Sequence, residues 1–171
     1  MASPFDSLSS LQKKLQRFSL ALFAAMLLAF AADAQEVPIL IVDGAIAKSP
    51  SVSFTQADLD AMPQSDIKTS TPWHDGVHTF SGPKLSAVLA FAGATGGTIT
   101  AHALNDYSAD LPAEDAEKFG VILATRMDGA LLPVRDKGPI FIIYPYDSAA
   151  ELRHDVYYTR SVWQVDKLTL K

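Results

Sequence analysis

From residue 37 onward the chain is written in short runs of alternating apolar and polar residues, separated by turn-forming residues. Val37 to Val42 is β-rich and ends in Asp43-Gly44, and Ser51-Val52-Ser53-Phe54 alternates as a short strand does. Thr55 opens a helix, with Asp58 three residues on as a capping-box partner and Leu59 and Met62 on its apolar face. Asp66 to Ser70 and Val77 to Phe80 read as strands, joined by the turn-rich stretch Thr71-Pro72-Trp73-His74-Asp75-Gly76. Pro83 stands where a first helical residue is expected, Leu85, Val88, Leu89 and Phe91 follow at helical spacing, and Gly93 closes the helix. Thr98 to Ala103 and Tyr107 to Leu111 are further strands, and Glu114-Asp115 starts a third short helix. Asp128-Gly129, between Val121–Met127 and Ala130–Val134, is the strongest hairpin signal. Ile140 to Tyr144 is continuously apolar and reads as a central strand buried on both faces, and Ser161 to Leu170 closes the domain. About eight strands and three short helices, without regular alternation of the two, predict an α+β fold with a β-rich mixed sheet.

The first 34 residues follow a different pattern. Lys13, Lys14 and Arg17 precede an uncharged run from Phe18 to Ala32, and Ala32-Asp33-Ala34 offers the small residues a signal peptidase reads. The expectation is a secretory signal over 1–34 and a single domain over 35–171, periplasmic or secreted. The apolar run is shorter than the roughly 20 residues of a spanning helix, so no membrane insertion is expected after cleavage, an uncleaved anchor being the competing reading.

Charge narrows the partners. The chain carries 14 Lys and Arg against 19 Asp and Glu, a net −5, and residues 35–171 alone carry −6. A mildly acidic domain without a concentrated basic face is a poor partner for nucleic acid or an anionic membrane. Cysteine is absent, which removes thiolate nucleophiles and thiolate metal ligands.

Candidate chemistry is sparse. His74 and His78 are four apart, but in a loop-and-strand context that spacing does not make a metal site. No Gly-x-Ser-x-Gly elbow is present, and Gly93-Ala94-Thr95-Gly96-Gly97 follows a helix instead of opening one. A polar cluster stands out instead: Asn105-Asp106-Tyr107, Arg126, Arg135-Asp136-Lys137-Gly138-Pro139 and Tyr144-Pro145-Tyr146-Asp147. Turns of this kind, gathered at one end of a sheet, make an anion site, because arginine grips carboxylate or phosphate in a bidentate fashion. The competing reading is a solvated charged turn.

Those segments, with Thr71-Pro72-Trp73, Phe80-x-Gly82-x-x-Leu85-x-x-Val88-Leu89 and Val162-Trp163-Gln164-Val165, resemble small exported members of the sulfite-oxidase-type molybdopterin-binding domain family. The resemblance covers nearly all of 37–171 and implies that family's mixed, β-rich fold and a molybdopterin-type cofactor. It also implies a metal end near Trp73, where the related enzymes hold molybdenum through a cysteine just before the tryptophan. Here that stretch is Lys68-Thr69-Ser70-Thr71-Pro72-Trp73. A hydroxyl is a poorer ligand than a thiolate, because it must lose a far less acidic proton.

Two functions follow from the sequence. One is a ligand-binding or sensing module without a thiolate-held metal, whose partner is a small anion or a periplasmic or membrane sensor protein. The alternative is a molybdopterin-dependent oxidoreductase with a non-cysteine metal ligand, Ser70 or Thr71. For the first, Trp73, Asn105, Tyr107, Arg126, Arg135 and Lys137 are expected to converge on one pocket, the bases holding the anion and the aromatics forming its wall.

Overall fold

The computed structural model describes residues 37–48 and 50–171. The expected signal segment, 1–34, lies outside the described residues. Eleven strands and four α-helices follow one another from Leu40 to Leu170.

A five-stranded mixed sheet forms one wall. Its order is β2 (Ser51–Phe54), β1 (Leu40–Gly44), β11 (Val165–Leu170), β5 (Thr98–Ala103) and β6 (Ser108–Pro112). Only β1 and β11 run parallel. A second, antiparallel sheet of four strands has the order β3 (Gln64–Thr71), β4 (His74–Pro83), β8 (Arg126–Met127) and β9 (Ala130–Leu131). Between the two cores runs a two-stranded antiparallel ribbon of β7 (Ile122–Ala124) and β10 (Phe141–Ile143).

The ribbon explains the continuous apolar run in the sequence. Ile140, Ile142, Tyr144 and Leu123 point into the large core, which also holds Leu85, Val88 and Leu168. Phe141, Ile143, Ile122 and Ala124 point the other way, into a smaller core with Ile67, Phe80 and Leu132. Every one of these positions is buried. The expected central strand is thus corrected to a short ribbon strand with β7 as its ladder partner. A strand with a core on each face has no polar alternation to show. Gly82, on β4, lets that strand lie against the ribbon: a Cβ there would land on the Leu123 carbonyl. This is the physical role of the glycine in Phe80-x-Gly82-x-x-Leu85.

Local signals fared well where the partner is near in sequence. Thr55 caps α1 (Gln56–Asp60): its hydroxyl accepts from the Asp58 N–H at 3.1 Å, and the Asp58 carboxylate accepts from the Thr55 N–H at 2.8 Å. Asp128 and Gly129 have φ of +49° and +83°, the positive pair a type I′ turn demands. The arms beside them are shorter than expected. The first breaks at Thr125, whose N–H donates to the Ser81 carbonyl, and the second gives way to a 3₁₀ turn, Val134–Asp136. Pro83 ends β4 instead of opening α2 (Leu85–Ala92). The helix starts two residues later, where the Leu85 N–H donates to the Val121 carbonyl. Glu114-Asp115 does lead into a helix, α3 (Asp115–Lys118). A fourth, α4 (Asp155–Arg160), lies in a polar stretch without apolar periodicity.

Candidate functional site: an aromatic cleft beside the β3–β4 turn

The turn between β3 and β4 is organised by one hydroxyl. Thr71 Oγ1 accepts from the backbone N–H of Trp73 at 3.3 Å and of His74 at 3.2 Å, and lies 3.1 Å from His74 Nδ1. With its lone pairs facing two N–H groups, its own proton points to the imidazole, so Nδ1 is the acceptor. Burial, then the charges of Lys137 and His78, hold His74 below its usual pKa, in keeping with a neutral ring. The preceding residue is clamped as well. Ser70 donates its N–H to Asp147 Oδ2 at 2.6 Å and its hydroxyl to Oδ1 at 2.8 Å, and the Asp147 N–H donates to Thr69 Oγ1 at 3.1 Å. These donors hold the Asp147 carboxyl below the ordinary carboxylate range.

Trp73, fixed by that turn, stands at the centre of an aromatic cluster. Its ring centroid lies 5.4 Å from Phe141, 5.4 Å from Trp163, 6.0 Å from Tyr158 and 6.4 Å from Tyr146, all edge to face. Trp73, Tyr107, Tyr158 and Trp163, with Asn105, Thr159 and Ser161, line a cleft of about 310 Å³. Tyr107 stands almost parallel to Trp163, 6.5 Å between centroids and 10° between planes. Its backbone N–H donates to Asn105 Oδ1 at 3.2 Å, an Asx-type turn, while its hydroxyl makes only a long bond of 3.4 Å to the Thr159 carbonyl.

Beneath the cleft the polar groups are satisfied within the protein. Ser161 donates to the Tyr157 carbonyl and receives the Tyr146 hydroxyl. The buried Asp115 accepts from the Tyr144 hydroxyl and from Arg160 Nη1, each at 2.8 Å. Burial, then the Asp115 carboxylate, push the Tyr144 hydroxyl far up from its usual value, so it acts as a donor.

The sequence-predicted residues divide. Trp73, Asn105 and Tyr107 line the cleft. Lys137 sits over a wall of it, its Nζ 4.5 Å from the Trp163 ring centroid. The Lys137 carbonyl accepts from the Gln164 N–H, and Gln164 Nε2 donates to the Val134 carbonyl, which ties the charged turn to the segment that carries Trp163 into β11. Arg126 is not part of this group: it grips Asp60, at the end of α1, through two bonds of 2.6 and 2.8 Å. Arg135 is not either. Its side chain is 86% exposed on the 3₁₀ turn, 3.5 Å from Asp136. The expected convergence of three bases is therefore corrected to one lysine, because a carboxylate 66 positions away in sequence claims Arg126 and solvent claims Arg135. Tyr158 and Trp163 are cleft residues that the pocket expectation lacked. Trp163 sits in a resemblance segment, whereas Tyr158 rides on the helix without a periodic signature.

His74 and His78, both on β4, stand with rings 5.8 Å apart. His78 pairs with Asp128 at 2.7 Å across the sheet. Among the described residues no group of three or more His, Cys, Asp or Glu side chains is arranged to hold a metal ion.

No curated protein matches by sequence. Among solved structures, the sulfane dehydrogenase SoxCD from Paracoccus pantotrophus is similar in fold, with a TM-score of 0.57 at 19% identity. The match covers 77% of this chain and 37% of that one, so this chain spans well under half of the larger protein's length. The family model described as the oxidoreductase molybdopterin binding domain matches residues 31–151. The match covers well over half of the chain, and the protein belongs to the oxidoreductase molybdopterin-binding domain family.

Proposed function

We propose that this domain works outside the cytoplasm as a ligand-binding or sensing module of its family, holding a small anion at the aromatic cleft without a thiolate-held metal. One observation carries the reading. The stretch that would supply the metal ligand offers hydroxyls in place of a thiolate, and those hydroxyls are engaged inside the protein. Ser70 Oγ donates to Asp147, and Thr71 Oγ1 is surrounded by two N–H groups and an imidazole. To bind a metal, either hydroxyl would have to give up these bonds and a weakly acidic proton. The bases do not suit a large anionic cofactor either: Arg126 is committed to Asp60 and Arg135 faces solvent. The donor set does not fit a molybdenum centre.

A small anion suits the cleft better. Its lining contains neither Asp nor Glu, and the cation over its Trp163 wall, Lys137, has no carboxylate within 4 Å among the described residues. Both tryptophans of the chain line the cleft, so intrinsic fluorescence reports on it directly. Titration with acetate, sulfate and phosphate is expected to give a saturable emission change with at least one of them, weakened in Lys137→Met. A flat response to all three would refute the reading. The oxidoreductase alternative draws on family membership, and molybdenum content separates it from the module.

A further inference from the structure

We propose that the cleft selects a planar aromatic acid, its ring seated between Tyr107 and Trp163 and its carboxylate turned to the Lys137 ammonium and the Asn105 amide; this rests on the ligand-binding reading above. The first support is the slot itself. Two rings only 10° from parallel line one cavity with centroids 6.5 Å apart. Carbon–carbon contact is about 3.5 Å, so a ring between two others needs about 7 Å. A centroid separation is the most that the gap between the planes can be, so the slot is closed to a ring as it stands, and Tyr107 is the wall that gives way to open it. It is 45% exposed, and its hydroxyl is held by only one long bond. Trp163 is the fixed wall, braced edge-on by Trp73 and Phe141.

Charge sets the rest of the ligand. A box of two tryptophans and two tyrosines would also suit a quaternary ammonium. Here a cation already stands on the Trp163 ring, and no acid lines the cleft to balance a second one. The donors point instead to an acceptor. Asn105 uses its oxygen for the Tyr107 N–H and has no hydrogen bond from its amide nitrogen among the described residues, and the Tyr158 hydroxyl has none either. An anionic group on a flat ring satisfies the slot and these donors together.

The test is calorimetric titration of the purified protein with four probes: benzoate, cyclohexanecarboxylate of equal charge but no flat ring, uncharged benzyl alcohol, and acetate. Benzoate is expected to bind about tenfold more tightly than each of the others, the size of one good aromatic contact. Tyr107→Ala should lose about that factor and Tyr107→Phe should retain the affinity, with thermal midpoints of both near the parent, since the ring is half exposed. Equal affinity for benzoate and cyclohexanecarboxylate would overturn the slot. Equal affinity for benzoate and benzyl alcohol would overturn the acid. Acetate binding as well as benzoate would leave a small-anion module standing and sink the aromatic selectivity. Failure of benzoate alongside a live fluorescence response to small anions would sink the aromatic-acid proposal alone, whereas a flat fluorescence response to acetate, sulfate and phosphate would sink the ligand-binding reading on which it rests.

Discussion

Phe141→Ala is the perturbation that most directly probes how the fold builds the cleft. Phe141 is fully buried on β10, in register with Ala124, and its ring meets Trp73, Phe80 and Trp163 at 5.4, 6.1 and 6.2 Å. Removing a core aromatic costs about 3–5 kcal/mol, the larger values arising where the surroundings cannot collapse into the space. Here the neighbours are rings held by a strand (Phe80), a hydrogen-bonded turn (Trp73) and a β-bridge (Trp163), so the upper half of that range is expected. For a domain of this size each kcal/mol moves the thermal midpoint by roughly 3–6 °C, giving a fall of about 12–30 °C. Urea unfolding followed by tryptophan emission is the assay, with the slope unchanged so that the midpoint reports stability alone. Phe141→Leu, which keeps much of the volume, should lose less. A loss below about 1 kcal/mol for the alanine variant would show that the ribbon is peripheral, and would refute the placement of Trp73 and Trp163 on a shared core.

Three further outcomes are expected. Gly129→Val forces a β-branched residue to a φ of +83° in a two-residue turn and should destabilise the domain by about 1–3 kcal/mol in the same unfolding assay; an unchanged midpoint would remove the turn from the folding account. Arg126→Met breaks a partly exposed pair with Asp60, so a stability loss near 1 kcal/mol is expected with anion titrations unaltered; weakened anion binding would put Arg126 back at the cleft. For His78, Nδ1 faces the Asp128 carboxylate at 2.7 Å and Nε2 faces the Asp75 carbonyl at 2.9 Å, an arrangement only the imidazolium fully satisfies. The Asp128 bond, then the carbonyl, hold its pKa above the usual 6.5. Its stabilisation is therefore complete below pH 6.5 and fades as pH rises through the higher folded value, while the share of Asp128, held below 3.8 by His78, fades as pH falls through its lowered value. An NMR titration should give His78 a raised pKa that drops in Asp128→Asn; an identical value in both proteins would break the pairing.

What the sequence revealed depended on how far apart the interacting residues are. The Thr55 cap and the Asp128-Gly129 turn are written within four residues, and both were legible. The alternation of Ile140, Ile142 and Tyr144 against Phe141 and Ile143 was legible too, because each set faces its own core. The strand's ladder partner was not, since β7 is a three-residue segment inside a longer apolar arm. At the cleft, Trp73, Asn105 and Tyr107 came from resemblance segments, whose order along the chain carries spatial information that composition lacks. Arg126 misled because its type suggests an anion site, while its actual anion is Asp60, a residue with no sequence mark of its role. Tyr158 was missed because a six-residue polar helix has no periodic signature.

The absence of a thiolate-held metal is the central claim, and molybdenum content tests it most directly. The protein, purified from cells that make the molybdopterin cofactor and dialysed, is submitted to elemental analysis. Far less than one molybdenum per chain is the expected result, since Ser70 and Thr71 offer engaged hydroxyls where a thiolate would be needed. One molybdenum per chain, retained through purification, would contradict the module and restore a metal-dependent oxidoreductase.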